Sequence, residues 1–301
     1  MLTRDYDAQL HRTETLSATH PAAREILAFY SKILSFQKSL LTQIAPSSPG
    51  GSRRQSDSAP FAPLRDSLDL TLLLPHFRPF LSLIEQHAPA PLASAAHELS
   101  SLPSGVWIEL LTSYWQSGAL PESGLKNEFD ASLSATSEHS PLATHHSPLP
   151  QSPLTPFFPR AFLQPYAALL ASQSPVPPTT FTPNVCPLCG ALPVLGILRP
   201  EGDGAKRSLV CSFCSTEWNY RRLLCPHCNE SHEPKLPVFV ADQFPHIRTE
   251  TCDTCRTYLR TIDLTKDGHA IPAVDDLAAL PLSLWAHEHH YTRLFLNLLS
   301  T

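Results

Sequence analysis

The sequence predicts an α+β protein in which an N-terminal all-helical domain precedes two tandem zinc-ribbon-type four-cysteine metal modules and a C-terminal helix. Three observations support this class. Apolar residues recur at helical spacing through the first 172 residues, every cysteine lies in a C-x-x-C pair between Cys186 and Cys255, and a last apolar stripe runs over residues 275–299. A chain of 301 residues also exceeds the usual size of one hydrophobic core, which favours several modules.

The helical domain, which we delimit at residues 15–172, contains four segments with the periodicity of amphipathic helices. They are residues 21–44, the stretch after Pro79, the WIELLTSYW run and the FLQPYAALL run. Pro21 suits the first turn of the first helix. The stripes of the first, third and fourth segments consist of Ile26, Tyr30, Ile33, Leu34, Leu41 and Ile44, then Trp107, Leu110, Leu111 and Tyr114, then Phe162, Tyr166 and Leu169.

Two segments of this domain, residues 46–63 and 131–156, are too rich in proline, glycine and serine to bury a core. We expect them to be mobile loops, because the apolar area they could bury would not offset the entropy lost on ordering.

The net charge and the N-terminal residues indicate which classes of partner and which cellular location to expect. A formal net charge of -5 gives no general attraction to nucleic acid or to anionic membranes. The first residues, MLTRDYDAQLHRTE, are charged where a signal peptide is apolar, and no window has the roughly 18 apolar residues of a membrane span. We therefore expect a cytoplasmic protein that does not insert into membranes.

All eight cysteines are paired in sequence, which indicates ligands. A reducing cytosol disfavours structural disulfides, so metal is the first interpretation and redox-active thiol pairs are the alternative. Four thiolates complete a tetrahedral shell around one divalent ion and leave no position open for substrate. Zinc and iron both accept tetrahedral sulfur, so the residues do not choose between them.

An internal repeat indicates which cysteines belong together. Both halves of the cysteine region read C-P-x-C, L-P-V, C-x-x-C-x-T, and their first cysteines are 39 residues apart. The repeat delimits a first ribbon at residues 181–222 and a second at residues 223–264. Its order assigns one site to Cys186, Cys189, Cys211 and Cys214 and the other to Cys225, Cys228, Cys252 and Cys255. The competing arrangement joins the two middle pairs across ten residues, and the spacing rule does not exclude it.

The residues around the cysteines suit the turns that such sites need. The position after the second cysteine of a pair often has positive φ, which Gly190 and Asn229 tolerate. Pro187 and Pro226 preset φ for the same turns.

At these residues the chain resembles the FdhE family, the formate dehydrogenase accessory proteins. The resemblance is carried by CPLCGALPV at 186–194, LVCSFCSTEWNYRRLLCPHC at 209–228, TETCDTCRTYL at 249–259 and DDLAALPLSLWAHEHHYTR at 275–293. It implies a cytoplasmic maturation factor, itself no enzyme, that binds the catalytic subunit of a molybdenum-containing formate dehydrogenase. It also implies rubredoxin-like modules, which makes iron as plausible as zinc.

Three residues are candidates for contact with that partner: Glu217, Trp218 and Asp275. A ribbon has little core in which to bury an indole, although Trp218 packed between the ribbons is the competing interpretation. Asp276 is expected to cap a C-terminal helix over residues 275–299, whose apolar positions Leu277, Leu284, Tyr291, Phe295 and Leu298 predict docking onto the rest of the protein.

Two other functions compete with the accessory role. A rubredoxin-like electron-transfer or thiol-redox protein would use iron or free C-x-x-C chemistry. A nucleic-acid-binding double ribbon is disfavoured because residues 181–264 contain nine basic and nine acidic side chains, whereas phosphate binding needs a basic excess.

Overall fold

The structure, a computed structural model, describes residues 2–45, 64–117, 152–174 and 184–299. The predicted loop at 46–63 and most of the one at 131–156 lie outside the described residues, while 152–156 form a turn that leads into a helix. The part of the chain that the structure describes confirms the α+β class. None of its helices has the length and apolar character needed to cross a membrane.

Six α-helices are present among the described residues of the N-terminal part. They are α1 (Leu2–Thr19), α2 (Arg24–Ile44), α3 (Leu70–His87), α4 (Ala90–Ser100), α5 (Ser104–Ser117) and α6 (Phe157–Ser172). The first helix begins well before residue 15, where we placed the start of the domain. It packs along α2 through a sparse stripe that includes Tyr6, Thr13 and Leu16.

Helix α3 is longer than its sequence indicates, because it runs through Pro75 and Pro79. Asp69 caps its first turn by accepting hydrogen bonds from the backbone N–H groups of Thr71 and Leu72, at 3.0 and 3.2 Å. Each internal proline removes one helical hydrogen bond, and the complete burial of Phe77 and its apolar neighbours on the same face compensates.

The two ribbons share a single seven-stranded sheet. Its strands are β1 (Pro193–Glu201), β2 (Gly204–Cys211), β3 (Glu217–Asn219), β4 (Val238–Ala241), β5 (Phe244–Thr251), β6 (Thr257–Asp263) and β7 (Thr292–Arg293), in the order β3-β2-β1-β6-β5-β4 with β7 beside β6. Within each ribbon the strands are antiparallel, whereas β1 of the first and β6 of the second pair in parallel, with Gly196 opposite Thr261. This parallel pair joins the modules.

The helical core continues into the first ribbon. Phe213, which lies inside the C-x-x-C pair of Cys211 and Cys214, makes edge-to-face contacts with Tyr114 and Trp115 of α5, at centroid distances of 5.5 and 5.4 Å. The first metal module is therefore an integral part of the helical domain's core.

The C-terminal segment corrects the prediction of a single helix over residues 275–299. It forms α7 (Pro272–Ala278) and α8 (Leu280–Glu288), and then β7. The helices separate at Ala279, because Pro281 begins a new first turn, and His290, with φ of 60°, ends α8 and sends the chain into the sheet. Leu277, Tyr291 and Leu298 are buried as expected, Phe295 is half-buried, and Leu284 is 61% exposed.

Candidate metal centres and the network around them

The eight cysteines converge in two groups, and the grouping is the one that the repeat predicts. One group contains Cys186, Cys189, Cys211 and Cys214, and the other contains Cys225, Cys228, Cys252 and Cys255; within each, all Sγ atoms lie within 4.8 Å of one another. The arrangement that joins the two middle pairs is therefore wrong, because the middle pairs belong to different ribbons.

The sulfur separations fit a tetrahedral ion. A Zn–S bond of about 2.3 Å requires sulfur atoms about 3.8 Å apart. The Sγ atoms of Cys186 and Cys214 are 3.5 Å apart and those of Cys189 and Cys211 are 3.4 Å apart. In the second group, the corresponding separations are 3.7 Å for Cys225–Cys255 and 3.6 Å for Cys228–Cys252. Each group has the composition and the size to hold one ion.

Each of the four cysteine pairs ends in the same left-handed turn. Gly190 and Asn229 have φ of 74° and 61°, which confirms the prediction. Ser215 and Arg256, both with φ of 57°, occupy the equivalent positions of the other two pairs. The sequence analysis missed them because neither residue is typical of this backbone region.

Hydrogen bonds to sulfur explain the threonine that ends each copy of the repeat. The hydroxyl groups of Thr216 and Thr257 lie 3.0 Å from the Sγ atoms of Cys214 and Cys255, respectively. In addition, the Phe213 and His227 backbone N–H groups point at the sulfur atoms of Cys211 and Cys225, at 3.3 and 3.4 Å. Such donors stabilise thiolates and orient them toward an ion.

Burial makes the thiolates dependent on a cation. It raises the pKa of the Cys211 thiol and that of the Cys225 thiol. Four thiolates placed side by side also repel each other, so a bound divalent cation is the natural source of compensating charge.

The two groups differ in exposure. All four cysteines of the first are buried, whereas in the second Cys228 is exposed and Cys255 is half-buried. The first group lies against the helices, and the second lies at an accessible end of the sheet.

The three candidates for partner contact lie in unlike surroundings. Trp218 is 6% exposed and belongs to the main core, so its indole is a packed side chain. Asp275 is 1% exposed, so neither side chain offers a surface to a partner in this conformation. Glu217 stays partly accessible and forms a two-pronged ion pair with Arg199, at 2.8 and 2.9 Å.

Asp275 lies in a charged cluster that ties the helical domain to the C-terminal segment. Its carboxylate accepts hydrogen bonds from Arg12, at 2.6 and 3.0 Å, and contacts His246 at 2.9 Å. Asp267 binds the same guanidinium at 2.9 Å. Although the side chains of His246, Asp267 and Asp275 are close enough to chelate an ion, Arg12 already supplies the cation.

Asp276 is not a helix cap. It lies inside α7, 1% exposed, and its carboxylate is within 2.8 Å of Arg260 and 2.7 Å of Arg293. Asn297 donates a further hydrogen bond, at 3.1 Å. Sequence reasoning missed this network because its members are far apart along the chain and unremarkable one by one.

Comparison with known proteins identifies where this architecture recurs. A family model described as "FdhE, central domain" matches residues 185–222, and one described as "FdhE, C-terminal domain" matches residues 223–300. Each matched segment contains one complete cysteine group.

Individual relatives extend the similarity along the chain. A "Protein FdhE homolog" of Aquifex aeolicus is 26% identical over 295 residues, which cover 96% of this chain and 93% of that protein. One of Pseudomonas aeruginosa is 39% identical over 121 residues, or 38% of this chain and 39% of that one. The crystal structure of the FdhE protein from Pseudomonas aeruginosa has the same fold, with a TM-score of 0.65, 24% identity, and coverage of 99% and 96%.

Proposed function

Since this chain belongs to the FdhE family, we propose that it is an accessory factor needed to assemble active formate dehydrogenase. In this role it binds the catalytic subunit of the enzyme in the cytoplasm and catalyses no reaction itself. The observation that carries the proposal is the presence of one complete four-cysteine group in each of the two segments that match FdhE domains.

The cysteine groups give the scaffold its rigidity. Each would hold one ion, iron or zinc, which when bound cross-links two hairpin turns of a ribbon. Four protein ligands leave no open coordination position, so these centres suit a structural role.

The remaining contacts hold the ribbons and helices as one body. Phe213 anchors the first centre in the helical core, the β1–β6 pair joins the second ribbon to the first, and Arg12 clamps α1 to the C-terminal segment. A partner would therefore meet a preorganised surface, which reduces the entropy cost of binding.

Co-purification tests the proposal. A tagged, metal-loaded chain is expected to retain the catalytic subunit of formate dehydrogenase, and cells that lack the chain are expected to lose formate dehydrogenase activity. Replacing Cys225, Cys228, Cys252 and Cys255 by serine should reduce both readouts, whereas Asp7→Ala, at an exposed ion pair with Lys38, serves as a control that should change neither. Full enzyme activity in cells without the chain would contradict the proposal.

A rubredoxin-like role in electron transfer is a second candidate, favoured by the exposure of Cys228. A redox partner could approach the second group through this residue, whereas the first group is enclosed. Reversible oxidation of the iron-loaded protein, accompanied by electron exchange with the enzyme, would support this function. An ion that shows no redox change, in a protein that still activates the enzyme, would exclude it.

A further inference from the structure

We propose that the open edge of β4 is the docking site for an extended segment of the partner polypeptide, which adds to the sheet as another strand. The segment is expected to carry apolar side chains at alternate positions and one acidic side chain. This inference rests on the proposed function and deepens it, because it names the surface and the mode of binding.

The first observation is the character of β4. It is the last strand of the sheet order, and no strand among the described residues pairs with its open side. Edge strands are normally protected by charged residues, prolines or bulges along their length. Here the ladder with β5 is irregular only at the end of β4, between Val240 and Ala241. Val238, Phe239 and Val240 are 42%, 38% and 49% exposed, so the edge before that point is apolar and accessible.

The register shows which backbone groups are available. The Thr251 N–H donates to the Pro237 carbonyl at 3.0 Å, so these opposite residues form a hydrogen-bonded pair. Hydrogen-bonded pairs alternate along an antiparallel ladder, which makes Phe239 and Thr249 the next one. The N–H and C=O groups of Val238 and Val240 therefore point away from β5, toward the open side.

A cavity beside this edge offers room for a side chain. It has a volume of about 400 Å³ and lies between the ribbons, next to Cys225 and Cys252 of the second centre. Its apolar lining includes Leu223, Leu224, Leu236 and Val238. Val238 and the cavity lie on the same face of the sheet. A strand paired with β4 would place every second side chain on this face. Contacts of these side chains with the cavity would give strand addition its specificity.

The charges on that face favour an acidic residue in the partner. Arg207 holds one carboxylate oxygen of Glu250 at 2.6 Å, and Arg248 reaches the other only at 3.9 Å. Two guanidinium groups thus share one carboxylate, and the buried Nε of Arg248 has no hydrogen-bond acceptor among the described residues. Arg248 lies opposite Val240, about two strand spacings, or roughly 10 Å, from an added strand. Its long side chain and that of a glutamate span this gap.

A second copy of the chain is a poorer occupant. The four residues of β4, Val238–Ala241, include no acidic side chain. Self-pairing through β4 alone would therefore offer Arg248 no carboxylate, whereas an acidic partner segment would.

Binding of the purified catalytic subunit of formate dehydrogenase to the full-length, metal-loaded chain tests the inference. Val240→Pro removes an N–H that β5 does not use, so the fold should tolerate the substitution. The added strand would lose one backbone hydrogen bond and would clash with the proline ring. We expect affinity to fall about tenfold or more. The matched variant Val240→Thr keeps the N–H and should bind within about twofold of wild type, and Arg248→Gln should weaken binding by up to about fivefold.

Hydrogen exchange supplies a readout that does not depend on any variant. The amides of Val238 and Val240 are expected to become protected when the subunit binds. The docking site would be overturned if the wild-type chain binds the subunit without protection of these amides and Val240→Pro binds with unchanged affinity. That result would leave the accessory role intact. Failure of the wild-type chain to bind the subunit would instead overturn both proposals. Self-association that Val240→Pro abolishes, with no effect on the subunit, would assign the edge to a second copy and contradict the inference.

Discussion

Arg293 Nη2 lies 2.7 Å from Oδ2 of Asp276, and both side chains are almost completely buried. Arg260 approaches the other carboxylate oxygen at 2.8 Å, so one aspartate of α7 compensates two arginines of the sheet. A buried charge that loses its partner is costly, because neither water nor protein then compensates it. This network, together with the cluster around Asp275, attaches the C-terminal helices to the sheet.

Replacement of Asp276 by alanine should destabilise the protein strongly, since it leaves two buried guanidinium groups without their carboxylate. We expect a loss of about 3–5 kcal/mol in the free energy of unfolding, measured by urea denaturation. Asp7→Ala, which removes an exposed pair with Lys38, is the control and should cost less than about 1 kcal/mol. Equal effects of the two substitutions would refute the role assigned to the buried network.

The cluster around Asp275 should make stability depend on pH. Burial alone would raise the pKa of the Asp275 carboxyl, but hydrogen bonds from His246 and Arg12 hold that pKa below its usual range. Such a carboxyl stabilises the fold above its unfolded pKa, about 3.9, and the contribution is lost as the pH falls through the folded value. Asp275→Asn should therefore be less stable than wild type near about pH 6, and the gap should narrow toward about pH 3. Urea unfolding across this range checks it, and a constant gap would contradict it.

The junction between the ribbons should tolerate no side chain at Gly196. A Cβ there would clash with Oγ1 of Thr261 and would lie 3.2 Å from its Cβ, on the neighbouring parallel strand. Gly196→Ala is expected to cost about 1–3 kcal/mol in thermal or urea unfolding. Gly105→Ala has open space around it near the start of α5 and should be neutral or slightly stabilising. If both glycines accept alanine equally well, the ribbons are not joined as described.

The two centres should release metal at different rates. Cys228 is exposed, whereas all four cysteines of the first centre are buried. A chelator in excess is expected to remove one ion per chain in a fast phase and the other in a slow phase. The absorbance of the metal–chelator complex measures this release. Serine at both Cys252 and Cys255 should eliminate the fast phase alone. Loss of the slow phase in this variant, or a single phase in wild type, would contradict the difference in accessibility.

Much of the candidate site was predictable because its ligands and turns belong to a short sequence pattern that occurs twice in the chain. Spacing and order identified the grouping of the cysteines, and the same alignment, applied to the residue after each second cysteine, would have found the turns at Ser215 and Arg256. Their residue types gave no signal, because tertiary structure imposes that conformation on them.

Features that depend on contacts between distant segments were not predictable. The pairing of Gly196 with Thr261 joins strands from the two copies of the repeat, and no local pattern indicates it. Trp218 belongs to a small ribbon and Asp275 to the short helix α7. Their burial became visible only with the N-terminal helices in place. The prediction of a single C-terminal helix was wrong because the spacing of apolar residues continues across Pro281, where a new helix begins.

Metal content of the chain with serine at Cys225, Cys228, Cys252 and Cys255 tests most directly that each ribbon holds its own centre. The substituted residues lie away from the helical core, so the first ribbon should stay folded, and helical content by circular dichroism serves as the control. If the centres are separate, one ion per chain remains, bound by Cys186, Cys189, Cys211 and Cys214. A folded variant that binds no metal would contradict the account.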